Sequence, residues 1–312
     1  MGRRQLIDEV RDVLAKTGFY LSEKHDRRGL SFDVVARRDD LLLMLKILQN
    51  VDAFGKANAE ELRLIATTLG GSPIVVGERS GSGALEEGVI YSRFGVPIVS
   101  TDTFTDLFEE GVPPFMFSAP GGLYVRLDSE ALRTARESRG VSLGTLAEVA
   151  GVSRRTIQMY LEGMSATVDI ALRLEEFLGE SLVVPVDPFA YSKETGDTLR
   201  GFEAFERFEQ DVFRKLQTLG YNVLPTVRCP FEAFATRESL FLTGVPDRGE
   251  RVEDKAHVMS NISSVVEKDA VLFVEIHTSA QSIGGTPLIK KSELRRIRDR
   301  DEIEDLIAER RK

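Results

Sequence analysis

Residues 153–159 read Ser-Arg-Arg-Thr-Ile-Gln-Met, a run whose side chains suit hydrogen bonding to base edges better than covalent chemistry. The arginine fork matches the O6 and N7 acceptors of guanine, and a glutamine amide matches the N6/N7 edge of adenine. If these residues lie on a helix of about 154–162, its exposed face carries Arg154, Arg155, Gln158 and Met159. Ile157 and Tyr160 then fall on the opposite, buried side. Ser153 is placed to cap the helix and leave a backbone N–H for phosphate, with Thr156 in the first turn.

A second set of residues has the types that hydrolyse phosphodiesters. Asp33 stands in one strand-like run and Lys46 ends the next. Such hydrolysis needs two acids to hold Mg²⁺ and a lysine beside the attacking water. In PD-(D/E)xK nucleases, which this pair faintly resembles, the second acid stands two residues before the lysine, where this chain has Met44. Further along, Glu232 takes the place of Asp33, but Thr243-Gly244-Val245 stands where acid-x-Lys is needed. An acid from elsewhere, such as Glu9 on the first helix, would have to complete a metal site. Asp33 reads more simply as a strand-edge carboxylate paired with an arginine such as Arg37. His277 beside Thr278-Ser279 lacks an orienting acid, and adjacent strand residues point to opposite faces. Cys229, between Arg228 and Pro230, reads as a packed thiol. No catalytic residue, metal ligand set or cofactor is assigned.

Composition narrows the field further. The 312 residues carry 41 Lys+Arg against 50 Asp+Glu, a formal net charge of −9. Non-specific coating of nucleic acid relies on basic surface, so any DNA contact here must be local. One cysteine excludes a disulfide framework, and three histidines without zinc-site spacing exclude a structural zinc site. No apolar run approaches the roughly 20 residues of a membrane span, and MGRRQLIDEV has no apolar leader core. A cytoplasmic protein without a membrane partner is expected.

The base-reading residues need a scaffold of short helices, and the punctuation supplies one. Pro113-Pro114 through Gly121-Gly122 marks a boundary, followed by a strand-like run at 123–127. Asp128 caps a helix to Arg139, Ser142 caps a second over Leu143–Ala150, and Ser153 caps the third. A fourth spans Ile170–Leu178, and Pro185 and Pro188 close the segment. Ala147 must be small where the third helix crosses, and Gly151 relieves the turn. Leu146, Val152, Ile157 and Tyr160 fill the wedge between the helices.

The stretch LRTARESRGVSLGTLAEVAGVSRRTIQMYLEG resembles the Cro/C1-type helix-turn-helix of phage repressors and many prokaryotic regulators. Set mid-chain between α/β segments, it is similar to a family of archaeal HTH-type transcriptional regulators. The resemblance, over about 50 residues, implies double-stranded DNA as partner. It assigns Ser142, Ser153, Arg154, Arg155, Thr156, Gln158 and Met159 to the DNA side. Leu143 departs from the glutamine many relatives place there, and Leu161 from their glutamate. Residues 128–180 hold six arginines against nine acids, a net −3. Such a module binds DNA weakly as a monomer, and a homodimer on a two-fold operator compensates.

The flanking segments read as a duplication. Residues 5–17 suggest a helix, followed by strands at 19–21, 31–36 and 41–47, a helix at 57–69 and a strand at 72–76. Residues 202–276 repeat that order, with Phe231 falling on Phe32 and Ile262 on Ile65. Gly95-Val-Pro-Ile-Val is echoed by Gly285-Thr-Pro-Leu-Ile. The Gly-rich run 77–83 lacks the Lys-Ser/Thr of a phosphate loop and reads as a surface loop. The order helix, three strands, helix, strand is also that of PD-(D/E)xK nucleases, a faint resemblance. The expected fold is α/β: two related mixed-sheet domains at 1–120 and 190–312, flanking an all-α Cro/C1-type module at 121–185. Phe32, Leu42, Leu43, Ile65, Val75, Phe231 and Phe273 are the expected core. The favoured function is transcriptional regulation without catalysis, with an effector or protein partner open to the α/β domains. The alternatives are a Mg²⁺-dependent nuclease using Asp33 and Lys46, and a protein–protein adaptor.

Overall fold

The computed structural model describes residues 2–24, 29–190, 201–276 and 278–311. His25 and His277 lie outside the described residues. Helix α1 (Arg3–Lys16) buries Leu6, Val10, Val13 and Leu14, one stripe at helical spacing. Strands β1 (Tyr20–Leu21), β2 (Val34–Arg38) and β3 (Leu41–Asn50) form an antiparallel meander. The turn between β2 and β3 is Asp39-Asp40, with Asp39 left-handed at φ 50°. Helix α2 (Lys56–Leu69) leads into β4 (Ser72–Ser80). Strands β5 (Gly83–Ala84), β6 (Val89–Arg93) and β7 (Val96–Ser100) follow, then α3 (Thr101–Thr105), which runs into a π-helical turn at 106–110.

The expected surface loop at 77–83 is instead the end of a hairpin, with Ser80 opposite Gly83 in the β4–β5 pair. Gly77 lies inside β4 because the neighbouring chain leaves no room there. A Cβ at that position would meet Val51 Cγ1 at 2.4 Å and the Leu48 carbonyl at 2.9 Å.

The helical segment opens on a hairpin, β8 (Met116–Ala119) and β9 (Gly122–Leu127). Then come α4 (Ser129–Ser138), α5 (Leu143–Ala150), α6 (Arg154–Leu161), β10 (Ala166–Thr167), α7 (Val168–Leu178) and β11 (Val183–Val184). The four helices match expectation, but β10 and β11 were not foreseen, since two-residue strands carry no alternation to read. Both pair with β9, while β8 pairs in parallel with β6, so one sheet order runs β4-β7-β6-β8-β9-β10.

The last segment contains α8 (Arg207–Thr218), β12 (Asn222–Pro225), β13 (Ala233–Thr236) and β14 (Leu240–Gly244). It continues through α9 (Val252–Val266), β15 (Asp269–Val274), β16 (Ser282–Ile283) and β17 (Thr286–Lys290) to α10 (Lys291–Leu294) and α11 (Arg300–Arg310). Its sheet order is β12-β13-β14-β15-β17-β16. Along β15, Val271 and Phe273 pack with α8, α10 and α11, while Leu272 and Val274 pack with α9. Period-two alternation thus places helices on both faces of a mixed sheet. Ile303 and Ile307 are core residues, and Arg310 is buried against Glu293 and the Leu288 carbonyl.

The pairings repeat between the two α/β segments: β1-β2-β3 corresponds to β12-β13-β14, and the antiparallel β6-β7 pair to β16-β17. Asp33 N–H donates to the Leu45 carbonyl and Glu232 N–H to the Thr243 carbonyl, the same register in each. All the expected core residues are buried.

Two compact units alternate along the chain. One comprises Met1–Thr17, Ile47–Gly55 and Pro73–Ser192, the other Gly18–Lys46, Lys56–Ser72 and Lys193–Lys312. The second unit therefore unites β1, β2, the first part of β3 and α2 with the later α/β segment. Its interlock is polar. Ser31 N–H donates to the Arg228 carbonyl, and the buried Glu61 carboxylate accepts from Val227 N–H (2.6 Å) and Arg228 N–H (2.8 Å). Cys229 Sγ lies 3.6 Å from the same oxygen, and burial together with that carboxylate pushes its thiol pKa well up, so it is a packed thiol. Glu61→Leu leaves two part-buried backbone donors without their acceptor and is expected to lower unfolding free energy by about 1–3 kcal/mol, measured by urea denaturation.

Candidate nucleic-acid interface

Helices α5 and α6 begin alike. Ser142 Oγ accepts from Thr145 N–H at 3.1 Å and lies 3.0 Å from Thr145 Oγ1. Ser153 Oγ accepts from Thr156 N–H at 3.1 Å and lies 2.9 Å from Thr156 Oγ1. Each serine satisfies one of the orphan donors of its helix and fixes where the helix starts. Between them Gly151 turns left-handed at φ 70°, and Val152 N–H returns to the Ala147 carbonyl at 2.9 Å. Leu146, Ala147, Ile157 and Tyr160 are buried in one cluster with α4, α7 and β9, and Val152 packs on its edge. Burial, then Tyr124, raises the pKa of the Tyr160 hydroxyl above its ordinary value. Leu161, where a glutamate was expected from the relatives, is buried in the same cluster.

The six arginines of residues 128–180 divide by what they touch. Arg133 donates to the Leu161 carbonyl (3.1 Å), Arg139 to that of Phe177 (3.4 Å) and Arg173 to that of Ala150 (3.5 Å). These carbonyls lie at the C-terminal ends of α6, α7 and α5, where a cation complements the helix dipole. Arg136 pairs with Glu137 at 2.9 Å. Arg154 and Arg155 remain. Among the described residues neither has a hydrogen-bond or ion-pair partner, and both are exposed. Beside them, Gln158 makes only a long contact to Glu162 (3.4 Å), and Met159 is 40% exposed. The structure thus brings Arg154, Arg155, Gln158 and Met159 onto the open side of α6, with Thr156 half-buried behind Ser153. Sequence reasoning missed the capping work of Arg133, Arg139 and Arg173, which depends on distant carbonyls and has no local signature.

The phosphodiesterase-like residues are arranged differently. Asp33 is buried, and its partner is Lys46 at 3.3 Å rather than Arg37, which pairs with Glu267 at 2.7 Å. Lys46 also donates to the Leu30 carbonyl at 2.6 Å. Met44, at the second acid's position, is fully buried, and its Sδ would lie 2.8 Å from a Cβ on Gly71. A hard cation takes oxygen ligands, so this pair with an apolar neighbour does not fit a Mg²⁺ site. Among the described residues no three or more His, Cys, Asp or Glu lie where they could share a metal ion.

The later α/β segment has a parallel arrangement that sequence inspection did not find. Glu232 accepts from Val245 N–H and pairs with Lys255, both at 2.5 Å, and Glu250 lies 3.7 Å from the same ammonium. Lys255 comes from α9, not from β14, so no acid-x-Lys spacing betrays it. A lysine on the buried side of an amphipathic helix was the available signal. Burial pushes the Glu232 carboxyl up to about 7, more than Lys255 and Val245 N–H lower it. Burial likewise raises the nearby Glu209, whose Oε2 accepts from Glu206 N–H at 2.5 Å.

Residues 3–114 match the PD-(D/E)XK superfamily domain, and residues 132–184 match the helix-turn-helix. The class is therefore a helix-turn-helix protein with a PD-(D/E)XK-type α/β fold in one chain. At 39% identity, over all of this chain and 98% of the relative, it is similar to a protein of Methanosarcina barkeri named "Putative HTH-type transcriptional regulatory protein". Proteins of the same name from Natronomonas pharaonis (99% of each chain) and Halorubrum lacusprofundi (100% and 98%) are each 40% identical. The chain belongs to this archaeal family of HTH-type transcriptional regulatory proteins. No solved structure matches it. Among the described residues no helix is long and apolar enough to cross a membrane.

The raised Glu232 pKa has a defined consequence. Its contribution to stability is full below pH 4.5, where both folded and unfolded carboxyls are protonated, and is lost as pH rises to about 7. Relative to Glu232→Gln, the natural chain is expected to lose roughly 2–3 kcal/mol of unfolding free energy across that window. Parallel denaturation series at pH 4.5 and pH 7.5 measure it.

Proposed function

We propose that this chain regulates transcription by binding double-stranded DNA at specific sequences, with α6 in the major groove. The observation that carries the reading is the division of the arginines. Four of the six hold helix ends or an acid, while the two on the open face of α6 keep all their donors. Arg155 and Gln158 have the geometry for guanine and adenine edges, and Ser142 and Ser153 set the helix N-termini against phosphate. The net −3 of the module favours a homodimer on a two-fold operator, since two reading helices share the phosphate contacts. The α/β segments serve as a non-catalytic frame in a cytoplasmic regulator, open to an effector or a protein partner. Met44 in the core and the lysine-paired Asp33 and Glu232 support this reading over a nuclease.

The test is retention of fragmented genomic DNA at two salt concentrations without Mg²⁺, beside the Arg154→Ala/Arg155→Ala variant. Discrete enriched sequences, lost in the variant, are expected, with two-fold symmetry if the dimer holds. Uniform retention, or none by either protein, sinks the regulator reading in favour of an adaptor. Cut ends on adding Mg²⁺, abolished by Lys46→Met, would restore the nuclease.

A further inference from the structure

We propose that Gly144 is a positioning residue for DNA binding: its missing side chain lets Arg154 lie across the first turn of α5. That placement assigns Arg154 to the phosphate backbone and leaves base reading to Arg155, Gln158 and Met159. The inference rests on the DNA-binding reading above and divides its labour. A Cβ on residue 144 would sit 3.0 Å from Arg154 Nη2, 3.1 Å from Nε and 3.3 Å from Cζ. The Nε–Nη2 edge of the guanidinium therefore lies against the space a side chain would fill. Gly144 is not there for its backbone, because unlike Gly140 and Gly151 it has no positive φ. Glycine inside a helix is a poor choice on propensity alone, which makes the shelf its remaining use.

Nothing in the protein repays the guanidinium for resting there. It has no acid or carbonyl partner among the described residues, and the start of α5 is the positive end of a helix dipole. In a docked helix-turn-helix, the helix before the reading helix crosses the DNA backbone, while the reading helix enters the groove. A side chain that starts on α6 but is drawn over to α5 is therefore drawn toward phosphate. Arg155, one residue on, is not among the nearest neighbours of any described glycine.

The experiment measures binding of the full chain to randomised duplexes at several salt concentrations, recording both the salt slope and the selected bases. Arg154→Ala is expected to weaken binding about tenfold for all sequences, reduce the slope by about 0.9, and leave base preference unchanged. Arg155→Ala is expected to change base preference at one or two positions. Gly144→Leu fills the shelf and should reproduce the Arg154→Ala loss and slope, with a cooperative melt. Gly144→Ala, which shifts the guanidinium less, should move both readouts less in the same direction. In the Arg154→Ala background, Gly144→Leu should add nothing, and a further loss there means a clash with DNA and overturns the proposal. So does a changed base preference in Arg154→Ala, or full binding by Gly144→Leu. No retention by the natural chain overturns the DNA reading itself and this assignment with it.

Discussion

The crossing of α5 over α6 depends on a tight turn at Gly151-Val152, and the exposed face of the whole module depends on that crossing. Gly151 takes a conformation that a Cβ would strain, Val152 returns its N–H to Ala147, and Ser153 then starts α6 at a fixed residue. Once the start is fixed, helical period decides the rest. Ile157 and Tyr160 go into the core, and Arg154, Arg155, Gln158 and Met159 go out. A one-residue slip of the cap would rotate α6 by about 100° and bury an arginine, which the apolar cluster would not tolerate.

Elsewhere charge has been turned inward. Each α/β segment keeps an acid at the same register position, Asp33 and Glu232, and each acid is joined to a buried lysine. The two lysines come from different elements, β3 in one case and α9 in the other. Removing one member of such a pair leaves the other in the interior with less to offset its charge, so the pairs are held in place by the penalty of losing one partner more than by their own attraction. Each pair thus ties an acid to a second element of its own segment.

The elements whose signals are local were legible in the sequence. Ser142, Gly151 and Ser153 mark the helix boundaries to within a residue, and the duplicated order follows from Phe32 and Phe231 with the glycines that end the helices. Strand starts were less legible: β2 begins at Val34 and not Ser31, because Ser31 bonds instead to the Arg228 carbonyl, almost two hundred residues away. The partners of Arg37 and Arg133 were hidden for the same reason, since spacing carries no information about contacts made across the fold. On the candidate site, residue types on α6 were readable, but the shelf at Gly144 required knowing how closely α6 starts to α5.

The β8–β9 hairpin has a mechanical meaning. A module hung on a tether explores a volume set by the tether's length, and its twin can adjust to operators of different spacing. Here β8 pairs with β6 through its backbone and β9 holds both β10 and β11, so the module that carries α6 is mounted on a paired arm of sheet. Such an arm surrenders reach for aim. Under the proposed DNA reading, two copies mounted this way would accept one separation of half-sites and reject the others, which adds spacing to bases as a basis for choice.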